Sequence, residues 1–236
     1  MKASMCKIIA ITLTVMLVYL FVSCGADIYS PDCETGNCVV VNFKGSVLVK
    51  PEVTGISDIP VEVNFENPNT YPVRVMNIVT GKTDENGEFN LKATIDLNSF
   101  EDYWLRVYVP VQEVYISKPP RSSHISKTFN SFDEDAFQNI NFEFYKKTML
   151  TINLNRIQTD DFESFTVGPH VEDWLYNLGF TIKDPNTKDE VIQFITAADV
   201  YTQIVWVKIL KNGERHTHID SLICRTNTNN VFNINF

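Results

Sequence analysis

Glycine is scarce and scattered, with nine in 236 residues. That excludes the clustered-glycine phosphate cradles of Walker and dinucleotide type, which need several glycines in one short turn. No Gly-x-Ser-x-Gly elbow is present. Only four histidines exist, and two of them, His124 and His170, sit in loop-like contexts, a poor supply of bases for a serine nucleophile. Positive charge is short as well: 20 Lys and Arg stand against 29 Asp and Glu, a formal charge of −9. An acidic surface repels phosphate backbones and anionic headgroups, which argues against nucleic acid as a partner. A long helical period is missing too. What the chain has in their place is one apolar run near its start and many short alternating segments.

Lys2 and Lys7 precede the run, and from Ile8 to Val22 every residue is apolar except Thr12, Thr14 and Tyr19. A charged start, a short apolar core and a small residue describe a secretory signal peptide. The run falls short of the roughly 20 apolar residues that a membrane-spanning helix needs. Phe21-Val22-Ser23-Cys24-Gly25 then resembles the lipobox of bacterial lipoproteins, in which the peptide is cut before a cysteine that takes the lipid. Phe21 and Val22 depart from the commonest residues of that box. The resemblance implies cleavage after Ser23 and lipidation of Cys24; a plain secretory cut nearby would leave Cys24 free. One acyl chain holds only marginally at about 0.8 kcal/mol per buried CH₂, so the family's three chains imply a permanent anchor. Gly25 after Cys24, and not aspartate, permits the outer membrane by the same resemblance.

Removal of residues 1–23 leaves 213 residues and a formal charge of −11. Lipid, and not a basic patch, would then hold the protein to a membrane. Cys33 and Cys38 flank Glu34-Thr35-Gly36-Asn37 and could pair in an oxidising compartment. Closing so small a loop stabilises by roughly 2 kcal/mol on chain entropy. Cys224 is left over, and a buried, inert thiol is expected there.

From Val39 the pattern has period two. Val61, Val63 and Phe65 alternate with polar residues, as do Phe89, Leu91, Ala93 and Ile95. Ile140, Phe142 and Phe144 do the same, followed by Leu150, Ile152 and Leu154, and at the end by Phe232, Ile234 and Phe236. Such alternation buries one face of an antiparallel sheet and wets the other. Asn86-Gly87, Asp184-Pro185-Asn186 and Asn212-Gly213 supply turns between the runs. Short helices are expected only around Asp133–Asn139 and Val171–Leu178. Ser117–Asn130, with Pro119-Pro120, reads as a long loop, and Lys146-Lys147-Thr148 reads as a boundary before a new strand at Met149. The expectation is an all-β chain of two tandem β-sandwiches, transthyretin-like or Ig-like. Residues 1–23 form the signal peptide, 24–38 a lipidated tether, 39–146 the first sandwich and 147–236 the second.

Gly45-Ser46-Val47, Asp58-Ile59-Pro60-Val61-Glu62-Val63 and Thr83-Asp84-Glu85-Asn86-Gly87-Glu88-Phe89-Asn90-Leu91, followed by Tyr103-Trp104-Leu105-Arg106-Val107, resemble the carboxypeptidase regulatory-like domain. The resemblance covers about residues 40–145 and implies a seven-stranded transthyretin-like sandwich that acts as scaffold or interaction module, without catalytic residues of its own. Glu66–Pro72 and Ser117–Asn130 depart from that pattern. Residues 205–236 look like β-domains that follow this module in other Gram-negative surface lipoproteins.

Chemistry has few candidates. On a strand, His216, His218 and Asp220 would line one face, a set able to hold a divalent metal; an exposed hairpin face beside Asn212-Gly213 explains the same residues. Asp84–Glu88 fails as a calcium loop, because Phe89 and Ile95 occupy the positions that need glycine and glutamate. Asp133-Glu134-Asp135 and Asp160-Asp161 read as solvated loops. Trp104 and Trp206 read as core, leaving Trp174 as the aromatic to contact a ligand. The sum is a membrane-anchored envelope or cell-surface lipoprotein, at the outer membrane or cell surface, with the periplasmic face as the other placement left open. It would be non-catalytic and without a cofactor, binding an envelope protein or a glycan. The alternative is a metal-dependent enzyme built on His216, His218 and Asp220.

Overall fold

Alternating runs become strands wherever a partner strand can take up their backbone groups. The computed structural model describes residues 36–117, 122–157, 162–171, 179–184, 187 and 189–236. Its strands run in chain order as β1 (Cys38–Lys50), β2 (Thr54–Gly55), β3 (Pro60–Asn67), β4 (Arg74–Lys82) and β5 (Glu88–Asp96). Then come β6 (Trp104–Pro110), β7 (Tyr115–Ser117), β8 (His124–Phe129), β9 (Ile140–Asn155) and β10 (Phe162–Val171). The last are β11 (Phe180–Ile182), β12 (Glu190–Ala197), β13 (Tyr201–Leu210), β14 (Arg215–Ile223) and β15 (Asn230–Asn235). The fold is all-β. Helical structure among the described residues is two short 3-10 turns, Leu97–Glu101 and Ala136–Gln138. The second lies inside the expected helix at Asp133–Asn139. Val171 ends β10, and the rest of the other expected helix lies outside the described residues.

The strand β9 organises the chain. Its first half pairs parallel with β1 and its second half antiparallel with β12 and parallel with β15. Its even-numbered residues point inward over 140–144 and again over 148–154. Ile140, Phe142 and Phe144 enter one core, facing the sheet β4-β3-β6-β8, and Leu150, Ile152 and Leu154 enter another, facing the sheet β11-β10-β13-β14. Between them Ile116, Tyr145, Val171, Ala197 and Val200 form a small third cluster. The strand break expected at Lys146-Lys147-Thr148 does not occur. Two charged side chains read as a linker, yet Lys146 leans outward to Glu52, Nζ to Oε1 2.8 Å, while its backbone stays in the strand. The loop expected over Ser117–Asn130 holds a strand as well. Lys127 falls between Ile125 and Phe129 on the face turned to the core and hides the alternation, but β8 pairs with β6 over all six residues.

The Thr83–Leu91 segment shows what its motif does physically. The buried Thr83 hydroxyl donates to Ile56 O at 2.6 Å and accepts from Ile59 N at 2.9 Å. Asp84 Oδ1 accepts from the amides of Asn86 and Glu88. Gly87 has φ +76°, and a Cβ there would lie 2.5 Å from Val47 O, so only glycine closes this turn. Phe89 is then delivered to the core at 4% exposure.

Outside the core, Arg106 bonds the Glu66 carboxylate at 3.1 Å and the Tyr108 hydroxyl at 3.1 Å, and that hydroxyl donates to Glu66. Burial, and then the bond to Glu66, raises the Tyr108 pKa above its ordinary 10.0. The folded chain therefore holds this proton more tightly than the unfolded chain. The contribution to stability is complete below pH 10.0 and is lost as pH rises through the raised folded value. Denaturant midpoints from pH 9 upward should fall more steeply for the wild type than for Tyr108→Phe.

Candidate functional site

On β14 the sequence expectation of a shared face holds: His216, His218 and Asp220 lie opposite Lys208, Trp206 and Ile204 of β13. They do not assemble a metal centre. His216 Nε2 is 3.2 Å from Glu214 Oε1. The His218 ring lies flat on Trp206, with centroids 5.4 Å apart and planes 13° apart. Asp220 Oδ1 accepts from the Ser221 amide at 2.7 Å. Among the described residues no group of three or more His, Cys, Asp or Glu could hold a metal ion. The metal reading therefore finds no support in this arrangement: β14 is the outermost strand of its sheet, and these side chains overhang the core as an exposed polar fringe.

The other candidates scatter. Asp133 Oδ1 accepts from Ala136 N and so caps the 3-10 turn. His124 begins β8 and His170 lies within β10, so neither is a loop residue. Trp104 is 38% exposed with the Arg106 guanidinium 5.5 Å above its ring; it caps a polar cluster and does not enter the core. Trp206 is half-buried, packed against Phe232 and His218. Trp174, Cys24, Cys33, Asp160 and Asp161 lie outside the described residues. Cys38 is disulfide-bonded. Cys224 is a free, fully buried thiol, and burial pushes its pKa up, which disfavours the reactive thiolate.

Sequence reasoning missed a concave site. A cleft of about 580 Å³ opens between the segment that carries β7 and the strands β11 and β12. Tyr115 and Ile116 form one wall, and Phe180 of β11 with Ile192 and Phe194 of β12 form the other. Polar residues stand among them, including the charged residues Glu113 and Lys147 and the amides of Gln112 and Gln193. Its size and mainly apolar lining are those of a binding site. No period or motif announces it, because its walls come from segments some 65 residues or more apart in the chain. Only the exposed apolar residues on β12, Val191 and Ile195, give a hint.

No protein-family model and no curated protein matches the chain. Among solved structures it is similar to a double mutant of the shaft pilin SpaA from Lactobacillus rhamnosus GG, at 8% identity over 84% of this chain and 98% of that one, TM-score 0.33. It is also similar to the Bacillus anthracis TIE protein, at 10% identity over 84% and 34%, TM-score 0.31. A third is the Streptococcal ancillary pilin, at 11% identity over 83% and 62%, TM-score 0.30. At these scores and identities neither a family nor an activity follows for this chain.

Proposed function

We propose that the chain is a lipid-anchored lipoprotein of the cell envelope or cell surface, with a non-catalytic binding or scaffold role. The observation that carries this is Ser23-Cys24 directly behind a short apolar run with a basic start. The carboxypeptidase regulatory-like resemblance supports it, since the residues that carry the likeness serve the fold: Thr83 and Asp84 hold turns and Phe89 fills the core. The side chains best suited to chemistry support it as well, being engaged in capping, stacking and ion pairing. Residues 24–37 would lead from lipid to β1, with Cys33 the proposed partner of Cys38. The ligand or partner would be an envelope protein or a glycan.

Mass spectrometry of the native N-terminus tests the anchor. The expected product begins at Cys24 and carries acyl chains, and Cys24→Ala should move the protein from the membrane fraction to the soluble one. An unacylated product that keeps its first 23 residues would overturn the reading.

A further inference from the structure

An exposed strand edge is a template for another chain, and natural sheets blunt it with short length, charge or blocked backbone groups. Most edges here are blunted. The strands β2, β7 and β11 are two or three residues long. The edge of β14 carries Arg215, His216, His218 and Asp220, and Asp220 takes up the Ser221 amide. Charge also marks β4, β5 and β8. Two edges among the described strands are not blunted: β15, which pairs only with β9 and reads Asn-Val-Phe-Asn-Ile-Asn, and β12, which alone of the two borders the cleft. After Glu190 the sequence of β12 is Val-Ile-Gln-Phe-Ile-Thr-Ala, with no charge, no proline and no glycine, and it stands at the end of its sheet.

The register says which backbone groups are open. Ala198 N donates to Lys146 O, and Ala197 lies opposite Lys147. In an antiparallel ladder alternate pairs exchange both hydrogen bonds. The backbone of Ile192, Phe194 and Thr196 therefore turns to β9, and that of Val191, Gln193 and Ile195 turns away. These three residues offer three N–H and three C=O groups with no partner among the described residues. They span about 14 Å at about 3.4 Å per residue. The apolar cleft runs along this same edge, with Ile192, Phe194 and Phe180 lining it.

We propose that β12 accepts an extended strand from a partner polypeptide. The added strand would bond Val191, Gln193 and Ile195 through its backbone and set alternate apolar side chains into the cleft, the mode known as β-augmentation. A compact apolar molecule would fill the cleft and leave the edge groups unused; a peptide strand satisfies both. The incoming segment should carry no net charge, because β12 presents no charge between Val191 and Ala197 and the two charged residues of the cleft, Glu113 and Lys147, are of opposite sign. A second copy is the weaker occupant, since a chain of formal charge −9 repels itself. This deepens the binding role proposed above and rests on it, but its test does not involve the lipid, so the two fail separately.

The test is binding of a labelled heptapeptide of alternating threonine and valine to the full chain, followed by fluorescence anisotropy. Gln193→Pro removes one outward N–H and costs no bond to β9. Binding should weaken at least about tenfold in that variant, and also when the peptide is N-methylated throughout. Cys224 should stay unreactive to thiol reagents, showing that the variant is folded. Should Gln193→Pro fail to fold, Val191→Lys with Ile195→Lys, both at outward exposed positions, should weaken binding in the same way. The proposal is overturned if the wild type does not bind the peptide, or if binding survives N-methylation. A wild-type dimer that Gln193→Pro abolishes would assign the edge to a second copy and overturn it too.

Discussion

Gly45→Ala should destabilise the protein by about 3 kcal/mol or more, with a fall in melting temperature of roughly 10 °C. Gly45 stands between two strands, opposite Phe89 of β5 on one side and Ile140 of β9 on the other. A Cβ at this position would lie 1.8 Å from Ile140 O and 2.6 Å from Ile140 C, with Phe89 Cζ at 2.7 Å. Two of these three atoms are backbone and cannot rotate away. To admit the methyl group, β1 and β9 must part where their parallel pairing begins, and Ile140 and Phe89, at 1% and 4% exposure, must shift with them. Gly81→Ala is the control. Its Cβ would meet Leu91 Cδ2 at 2.2 Å, but that atom is the tip of a flexible, half-buried side chain. A loss under about 1.5 kcal/mol is expected there. Equal losses at the two positions would show that side-chain crowding, and not the blocked backbone, sets the effect.

The contrast between these glycines bears on what a sequence can display. Phe89, Ala93 and Ile95 alternate with polar neighbours and follow Asn86-Gly87, so period and turn agree over one short segment, and that segment folds as expected. The face shared by His216, His218 and Asp220 was equally legible, because strand geometry alone decides it. What no local pattern decides is whether the opposite sheet extends far enough to cover that face, and here it does not. The unbroken course of β9 through Lys146 and Lys147 departs from the expected boundary for a related reason. Lys146 and Lys147 interrupt its apolar rhythm, and only the distant Glu52, 94 residues away, shows why a charged residue is accommodated in mid-strand. Trp104 looked like core beside Leu105 and Val107, although alternation puts it on the face opposite to theirs. The cleft and the open edge of β12 were least legible, since both depend on which strands stand next to one another.

Asn230 was invisible on the same grounds, and its replacement should cost nearly as much as that of Gly45. The sequence Thr226-Asn227-Thr228-Asn229-Asn230 reads as an ordinary polar turn, yet Asn230 is 9% exposed and its amide organises the approach of β15 to β9. Its Oδ1 accepts from Arg225 N at 2.8 Å and from the Thr228 hydroxyl at 3.0 Å. Its Nδ2 donates to Met149 O and Arg225 O, each at 3.0 Å, and lies 3.2 Å from the Thr148 hydroxyl. Asn230→Ala strands these groups in a buried site, and a loss of about 3 kcal/mol follows. The loss reaches the second core, because β15 carries Phe232 and Ile234 and leads to Phe236, which stacks on Phe165 at 4.3 Å. Asn230→Asp separates the two halves of the amide. It keeps the acceptor for Arg225 N but points a carboxylate oxygen at the Met149 and Arg225 carbonyls, so at pH 7 it should be at least as damaging as alanine. Those carbonyls and burial raise the folded pKa of the introduced acid above its unfolded value. Its folded form therefore gains stability relative to the unfolded chain as pH falls through that raised value. Urea midpoints of the aspartate variant should recover toward wild type between pH 7 and pH 5, while those of the alanine variant shift in parallel with wild type. Parallel shifts in both variants would show that the donor side of Asn230 contributes little.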